Sequence, residues 1–269
     1  MTGLPGLPAL IATDMDGTLV RSDQTVSAYS HEVLRRVVAA GVPVFGVTGR
    51  GPRLRTITSR DLPMARFLVC AQGGYVLDLV AGEAIAVVRL PAEVAREAVK
   101  LLEDEVGPVL ITVEADDADG APLHGEVGFG WPFPEGWREA TRDAAVRGDL
   151  LKVFVKAPDR HPDEFLAVAR RVLPRELCDV TYAGQGFLEI CPAGVTKAAG
   201  LATVADRLGV AAADVLAFGD MPNDVPMLVW AGHSVAVANA HAEVLAVADE
   251  VALSNDEDGV ARYLDTLFR

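Results

Sequence analysis

Positive charge is scarce in this sequence: 24 lysines and arginines face 38 aspartates and glutamates over 269 residues, a formal net charge of -14. A surface field of that sign repels nucleic acid and anionic membranes, so neither is an expected partner, and any anionic ligand must be drawn in by local groups. Cysteine is also sparse. Cys70, Cys178 and Cys191 are odd in number, far apart and without paired metal-ligand spacing. That excludes a disulfide framework and a cysteine metal site, and fits buried thiols in a reducing compartment. No apolar run approaches the roughly 20 residues that cross a bilayer, and Met1 to Leu10 lacks the basic and apolar regions of a secretory leader. Internal repeats and low-complexity tracts are absent, and the expectation is a soluble, cytoplasmic protein.

What is present is core material, at 51% hydrophobic and 23% charged residues. The length exceeds a typical domain of roughly 100–150 residues, which points to a main body carrying a second domain. Leu7 to Ala12 reads as a buried strand that stops at Thr13-Asp14-Met15-Asp16. After Ser27, a helix cap, Val33, Leu34, Val37 and Val38 recur at helical spacing until Gly41, and Val42 to Val47 follows as a second strand. Phe67 to Cys70 and Tyr75 to Leu77 are further strands. Late in the chain come a helix from Thr196 to Leu208, a strand from Val215 to Phe218, and Val235 to Val237 as the last strand. Strands alternating with helices imply an α/β fold, doubly wound around a mostly parallel sheet.

Between these halves the pattern changes. Helices over Pro91 to Glu105, Trp137 to Arg147 and Pro162 to Leu173 are set among strands Val109 to Val113, Leu151 to Val155 and Val180 to Tyr182, with a long loop over Asp116 to Pro134. The expected division is therefore a core of residues 1–82 and 187–269 and an inserted, smaller α/β domain over 83–186, with Gly82 and Gly184 to Gly186 as flexible links.

The polar residues at the strand ends carry the chemistry. Asp14 and Asp16 project to the same side of an extended chain, so one can act as nucleophile on a phosphate ester while the other transfers protons. Asp220, Asn223 and Asp224 offer the hard oxygen ligands that suit magnesium. Thr48 and Gly49 provide a hydroxyl and an open backbone amide for a phosphoryl oxygen, with Arg50 either assisting or solvated. Lys197 opens a helix, where its charge opposes the helix dipole at roughly 0.3–1 kcal/mol, a misfit easier to accept beside a phosphate or a buried carboxylate. Each motif alone has an ordinary reading as an acidic turn or a solvated lysine. Together they follow separate apolar strands, and ligand sites in open α/β sheets lie beyond the strands' carboxyl ends.

These motifs, in this order, resemble those of the haloacid dehalogenase superfamily, in its Cof-type, sugar-phosphatase-like branch with a large cap inserted after the third core strand. The resemblance covers nearly the whole chain. It implies Asp14 as nucleophile and Asp16 as acid/base, from Asp14-Met15-Asp16-Gly17-Thr18. It implies Thr48, Gly49 and Arg50 as the phosphoryl-binding motif and Lys197 as the group that steadies both nucleophile and phosphoryl. Magnesium would be held by Asp14, the Asp16 backbone carbonyl and Asp220, with Asn223 and Asp224 orienting phosphate, lysine or metal-bound water. Ala71-Gln72-Gly73-Gly74 departs from the pattern, since many relatives have Asn before a Gly there.

The implied activity is magnesium-dependent hydrolysis of a small phosphorylated metabolite, such as a sugar phosphate, through an aspartyl-phosphate. A phosphomutase or phosphotransferase of the same superfamily, and a non-catalytic phosphometabolite-binding protein, are the alternatives, in a monomer or homodimer. In the insert, Phe129, Trp131, Phe133 and Trp137, with His124 nearby, are read either as a wall over the substrate or as packing for their own loop. Gln185 and Glu189, near the returning linker, are read either as substrate contacts or, in preference, as part of a surface linker.

Overall fold

The computed structural model describes residues 6–133 and 136–268; Met1 to Pro5 of the amino-terminal stretch, and Pro134 at the end of the expected loop, lie outside the described residues. The first five strands are β1 (Leu10–Thr13), β2 (Val44–Val47), β3 (Phe67–Cys70), β4 (Tyr75–Asp78) and β5 (Glu83–Val87). Six more follow: β6 (Leu110–Glu114), β7 (Leu123–Gly125), β8 (Trp137–Glu139), β9 (Lys152–Lys156), β10 (Cys178–Tyr182) and β11 (Leu188–Pro192). The chain then returns through β12 (Val215–Gly219), β13 (His233–Ala236) and β14 (Glu250–Val251).

Strands β14-β13-β12-β1-β2-β3-β4-β5, in that spatial order, make one sheet, and β10-β11-β9-β6-β7-β8 make another. The large sheet is parallel from β14 to β3; β4 alone runs against it, and β5, antiparallel to β4, returns to the common direction. This is the expected doubly wound α/β architecture with a smaller α/β unit inserted. Helices cover both faces of the large sheet, which is why β1, β2 and β3 are short unbroken apolar runs, buried at every position.

The helix Ala28–Ala39 starts where Ser27 accepts a hydrogen bond from the Ser30 amide, and it buries Val33, Leu34 and Val37. Helix Lys197–Leu208 begins with the same device, Thr196 accepting from the Ala199 amide, and ends at Gly209 in the left-handed conformation. Its first turn lies almost against the sheet. A Cβ at Gly200 would come within 2.5 Å of Val69 Cγ1 and 2.6 Å of Gly73 Cα.

The small sheet is antiparallel except where β8 joins β7. Helices Ala92–Val106 and Pro162–Val172 cover one face, with Ile111, Val113, Val153, Val155, Leu188 and Ile190 beneath them. Alternation along the strands puts Thr112, Glu114, Lys152, Phe154 and Glu189 on the other face, which is turned toward the large sheet. The chain leaves the large sheet after Val87 and enters the small unit at Leu90, which pairs with Leu150; it leaves the small sheet at Pro192.

Several local expectations change. Trp137 to Arg147 is not one helix: Trp137–Glu139 pairs with Leu123–Gly125, and a short helix, Arg142–Ala145, begins only after Thr141 caps it. Arg142 is held there by Glu126, Glu103 and the Val109 carbonyl, contacts that a continuous helix would not supply. The expected loop contains β7. Val235 to Val237 is not the end of the sheet, because the two-residue β14 pairs beyond it, too short to show any periodicity. Gly82 and Gly184 to Gly186 are hairpin turns, between β4 and β5 and between β10 and β11, and not links between the two units.

The packing at Gly200 generates a test. A valine there must push the helix away from β3 and the Gly73 turn, so Gly200→Val is expected to destabilise the fold by roughly 1–3 kcal/mol, read as a lower urea midpoint.

Candidate active site

Strand β1 lies between β2 and β12, so the turns that follow these strands meet in space. Asp14, Thr48 and Asp220 occupy those turns, each nearly buried: 5%, 1% and 5% exposed. Parallel register does this work, bringing residues from three distant stretches of sequence to one edge of the sheet.

Lys197 reaches the same point from its helix and is fully enclosed. Its ammonium donates to Asp14 Oδ1 and to Asp224 Oδ1, each at 2.5 Å. Burial works against the charge, but the two carboxylates outweigh it and the lysine pKa rises. Asp224 is held in turn, its Oδ2 accepting from the amides of Asp220 and Met221 at 2.9 Å each. Asp220 Oδ1 accepts from the Thr18 hydroxyl at 2.7 Å. Gly17 cannot be larger: its backbone has φ +84°, and a Cβ would lie 2.4 Å from Asp220 Oδ2.

One carboxylate oxygen from each of Asp14, Asp220 and Asp224 lies within 4.8 Å of the others. Three buried carboxylates thus face one lysine. Burial, only partly offset by Lys197 and reinforced by neighbouring carboxylates, pushes Asp14 well above the ordinary carboxylate range. Burial first and Asp224 second push Asp220 up to about 7. Hard oxygen donors with excess negative charge are a set that a divalent cation fits. Asp16 does not join it. Its side chain is 35% exposed and turned to Arg50.

Thr48 Oγ1 accepts from the Arg50 amide at 3.0 Å, closing a tight turn around Gly49. The Arg50 side chain leaves that turn: Nε and Nη2 donate to the two Asp16 oxygens at 2.8 and 2.6 Å, and Nη1 donates to Asp61 Oδ2 at 2.7 Å. Asn223 Nδ2 donates to Gln72 Oε1 at 3.2 Å, so Gln72 sits in the site, on a backbone with φ +60°. Among the described residues, Gln72 Nε2 and Asn223 Oδ1 are buried polar atoms without a hydrogen-bond partner.

The small sheet closes over this edge. Lys152, 2% exposed, donates to the Gly49 carbonyl and to Glu189 Oε2, the latter at 2.6 Å. Glu114 Oε2 lies 3.9 Å from the same lysine, and a Cβ at Gly51 would collide with the Glu114 carboxylate. Glu189 is therefore a buried strand residue at the junction, and not part of a surface linker. The aromatic residues of the insert pack mainly on their own sheet: Trp131 stacks on Phe187 at 5.2 Å, and Phe129 is fully buried.

The motif residues Asp14, Thr48, Gly49, Lys197, Asp220, Asn223 and Asp224 converge as a group, with Asp16 and Arg50 at its margin. Sequence reasoning overlooked Asp61, Glu114 and Lys152. Lys152 and Glu114 did leave a signal, each being a charge flanked on both sides by apolar residues at one end of a strand.

Comparison with known proteins agrees with this geometry. Residues 11–264 match the model of the haloacid dehalogenase-like hydrolases. The 5-amino-6-(5-phospho-D-ribitylamino)uracil phosphatase YwtE of Bacillus subtilis is 28% identical, over 96% of this chain and 97% of its own. SMU.1108c of Streptococcus mutans shares the fold, with a TM-score of 0.82 at 20% identity over 96% of this chain and 98% of that one. The subclass IIB sugar phosphatase BT4131 superimposes with a TM-score of 0.78 at 20% identity, over 96% and 98% of the two chains. The chain belongs to the haloacid dehalogenase-like hydrolase family, as a phosphatase-like member of it. No helix among the described residues is long and apolar enough to cross a membrane.

The raised Asp220 pKa sets a pH dependence. Between about 3.8 and about 7 the folded protein binds a proton at Asp220 that the unfolded chain has already released, so stability falls as pH rises through that window. In EDTA the melting temperature is expected to drop from pH 4 toward pH 7, and a divalent cation added at the upper end should restore it. Asp220→Asn should flatten both responses in a thermal-shift titration.

Proposed function

We propose that this protein is a magnesium-dependent phosphomonoesterase that hydrolyses a small phosphorylated metabolite, of the sugar-phosphate or polyol-phosphate kind, through an aspartyl-phosphate. The observation that carries this reading is the Asp14–Lys197–Asp224 chain at the carboxyl end of β1, with the Thr48 turn beside it. A carboxylate fixed in a buried site by a lysine, next to a hydroxyl and an open amide, is arranged to attack phosphorus.

In the first step an Asp14 oxygen forms a bond to phosphorus as the bond from phosphorus to the ester oxygen breaks, and Asp16 gives that oxygen its proton. In the second step a water oxygen attacks the same phosphorus, Asp16 takes the water proton, and the bond to Asp14 breaks to regenerate the carboxylate. Lys197, the Thr48 hydroxyl and the Gly49 amide meet the charge that builds on the phosphoryl oxygens, and each such preorganised donor is worth roughly 3–4 kcal/mol. Magnesium, held by Asp14, the Asp16 carbonyl and Asp220, with Asn223 and Asp224 in support, would supply charge neutralisation and substrate orientation.

The inserted unit, which by its strand pairing runs from Leu90 to Pro192, serves in this reading as a cap that excludes bulk water and selects the leaving group, with Glu114, Lys152 and Glu189 on its inner face. Curated relatives from B. subtilis named as phosphatases of a phosphorylated ribitylamino-uracil support including polyol phosphates among the substrates.

A panel of sugar and polyol phosphates, assayed for released phosphate, tests the proposal. Release is expected to require magnesium, to stop in EDTA, and to fall about 10³-fold or more in a folded Asp14→Asn variant. Release that persists in Asp14→Asn would rule out the aspartyl-phosphate route.

A further inference from the structure

The Arg50 guanidinium is the largest cationic group beside the phosphoryl-binding turn, yet all of its contacts lead away from that turn. Two nitrogens form a fork on the two Asp16 oxygens, and a third binds Asp61. Arg50 is 10% exposed at its side chain and Asp61 6%, so both are committed to these bonds, while Asp16 is 35% exposed. Only the Arg50 backbone remains with the turn, its amide donating to Thr48 Oγ1 and its carbonyl accepting from Ala71.

Asp61 occupies a position that costs something. It is the last residue of the helix Arg55–Asp61, the negative end of the helix dipole, and it is nearly buried there. A carboxylate at that end is explicable by what it holds. The Asp61 contact fixes the plane of the guanidinium, and the guanidinium fixes both torsions of the Asp16 side chain, since a two-point fork permits one orientation where a point charge permits many.

We infer that Arg50 and Asp61 are positioning residues for the Asp16 carboxyl group, and that the Arg50 side chain does not carry the phosphate. The inference rests on the proposed reaction, in which Asp16 must reach the ester oxygen at hydrogen-bond distance, about 2.6–3.2 Å, to give up its proton. Loose torsions at Asp16 slow that transfer without weakening the hold on phosphate.

The experiment compares two substrates in Arg50→Lys, Asp61→Asn and Asp16→Asn. One is the best alkyl phosphate of the panel, whose leaving group needs a proton. The other is p-nitrophenyl phosphate, whose phenolate departs without one. Because kcat/KM includes only steps up to departure of the leaving group, it isolates the proton donation. Arg50→Lys keeps the positive charge but cannot form the fork. It is expected to lose about 100-fold in kcat/KM on the alkyl ester, the range of general-acid catalysis, and to stay near wild type on the aryl ester. Asp61→Asn should show the same selectivity with a smaller loss, and Asp16→Asn marks its limit.

Equal losses on both substrates with raised KM would make Arg50 a phosphate ligand and overturn the inference. Unchanged kinetics on both would overturn it too, leaving the pair as a structural tie. Asp61→Asn carries the same comparison if Arg50→Lys does not fold. Activity surviving in Asp14→Asn would instead defeat the underlying reaction, a separate outcome.

Discussion

The arrangement depends on one buried electrostatic problem: three carboxylates at the end of a parallel sheet with a single lysine among them. Removing such a lysine would leave buried charges without a partner, a change that generally costs a protein several kcal/mol. Much of the surrounding structure can be understood as what is required to bring Lys197 there. Thr196 caps its helix at the right residue, and Gly73 and Gly200 let that helix lie against the sheet. Asp224 is locked by two backbone amides so that its other oxygen faces the lysine. Residual negative charge remains, which a bound cation would offset.

The sequence revealed this centre more readily than its surroundings. Strands buried on both faces read as continuous apolar runs, and the polar residues that end them stand out, which is why Asp14, Thr48 and Asp220 could be placed together before any geometry was available. Lys197 was conspicuous as a charge at the wrong end of a helix. The Trp137–Glu139 strand reads as helix from sequence because three residues of ladder carry no period, and the Thr141 cap falls inside the span so read. Arg50 lies in a motif whose sequence leaves it either beside the phosphate or in solvent. Its partner Asp61 lies on a different element, and only tertiary structure shows the fork.

The junction between the two sheets was the least legible part. Glu114, Lys152 and Glu189 each sit in a strand with apolar neighbours, a pattern suggesting either an error in the strand assignment or a buried ion cluster. Distinguishing the two requires knowing that β6, β9 and β11 are adjacent, which is long-range information. The lysine's bond to the Gly49 carbonyl then ties the small sheet to the Thr48–Arg50 turn, so the placement of the small sheet and the shape of that turn are mechanically joined.

That the chain passes between the two sheets only twice has an evolutionary consequence. Asp14, Asp16, Thr48, Lys197, Asp220 and Asp224 all lie outside the inserted stretch, whose inner face bears on the reactive edge through a few polar side chains. Mutations that reshape the insert can therefore accumulate, or the insert be exchanged for another lineage's, while the reactive groups keep their mutual distances. Under the proposed reaction, recognition and bond-breaking would be inherited on separate stretches of the gene, and selection could act on one with little disturbance to the other.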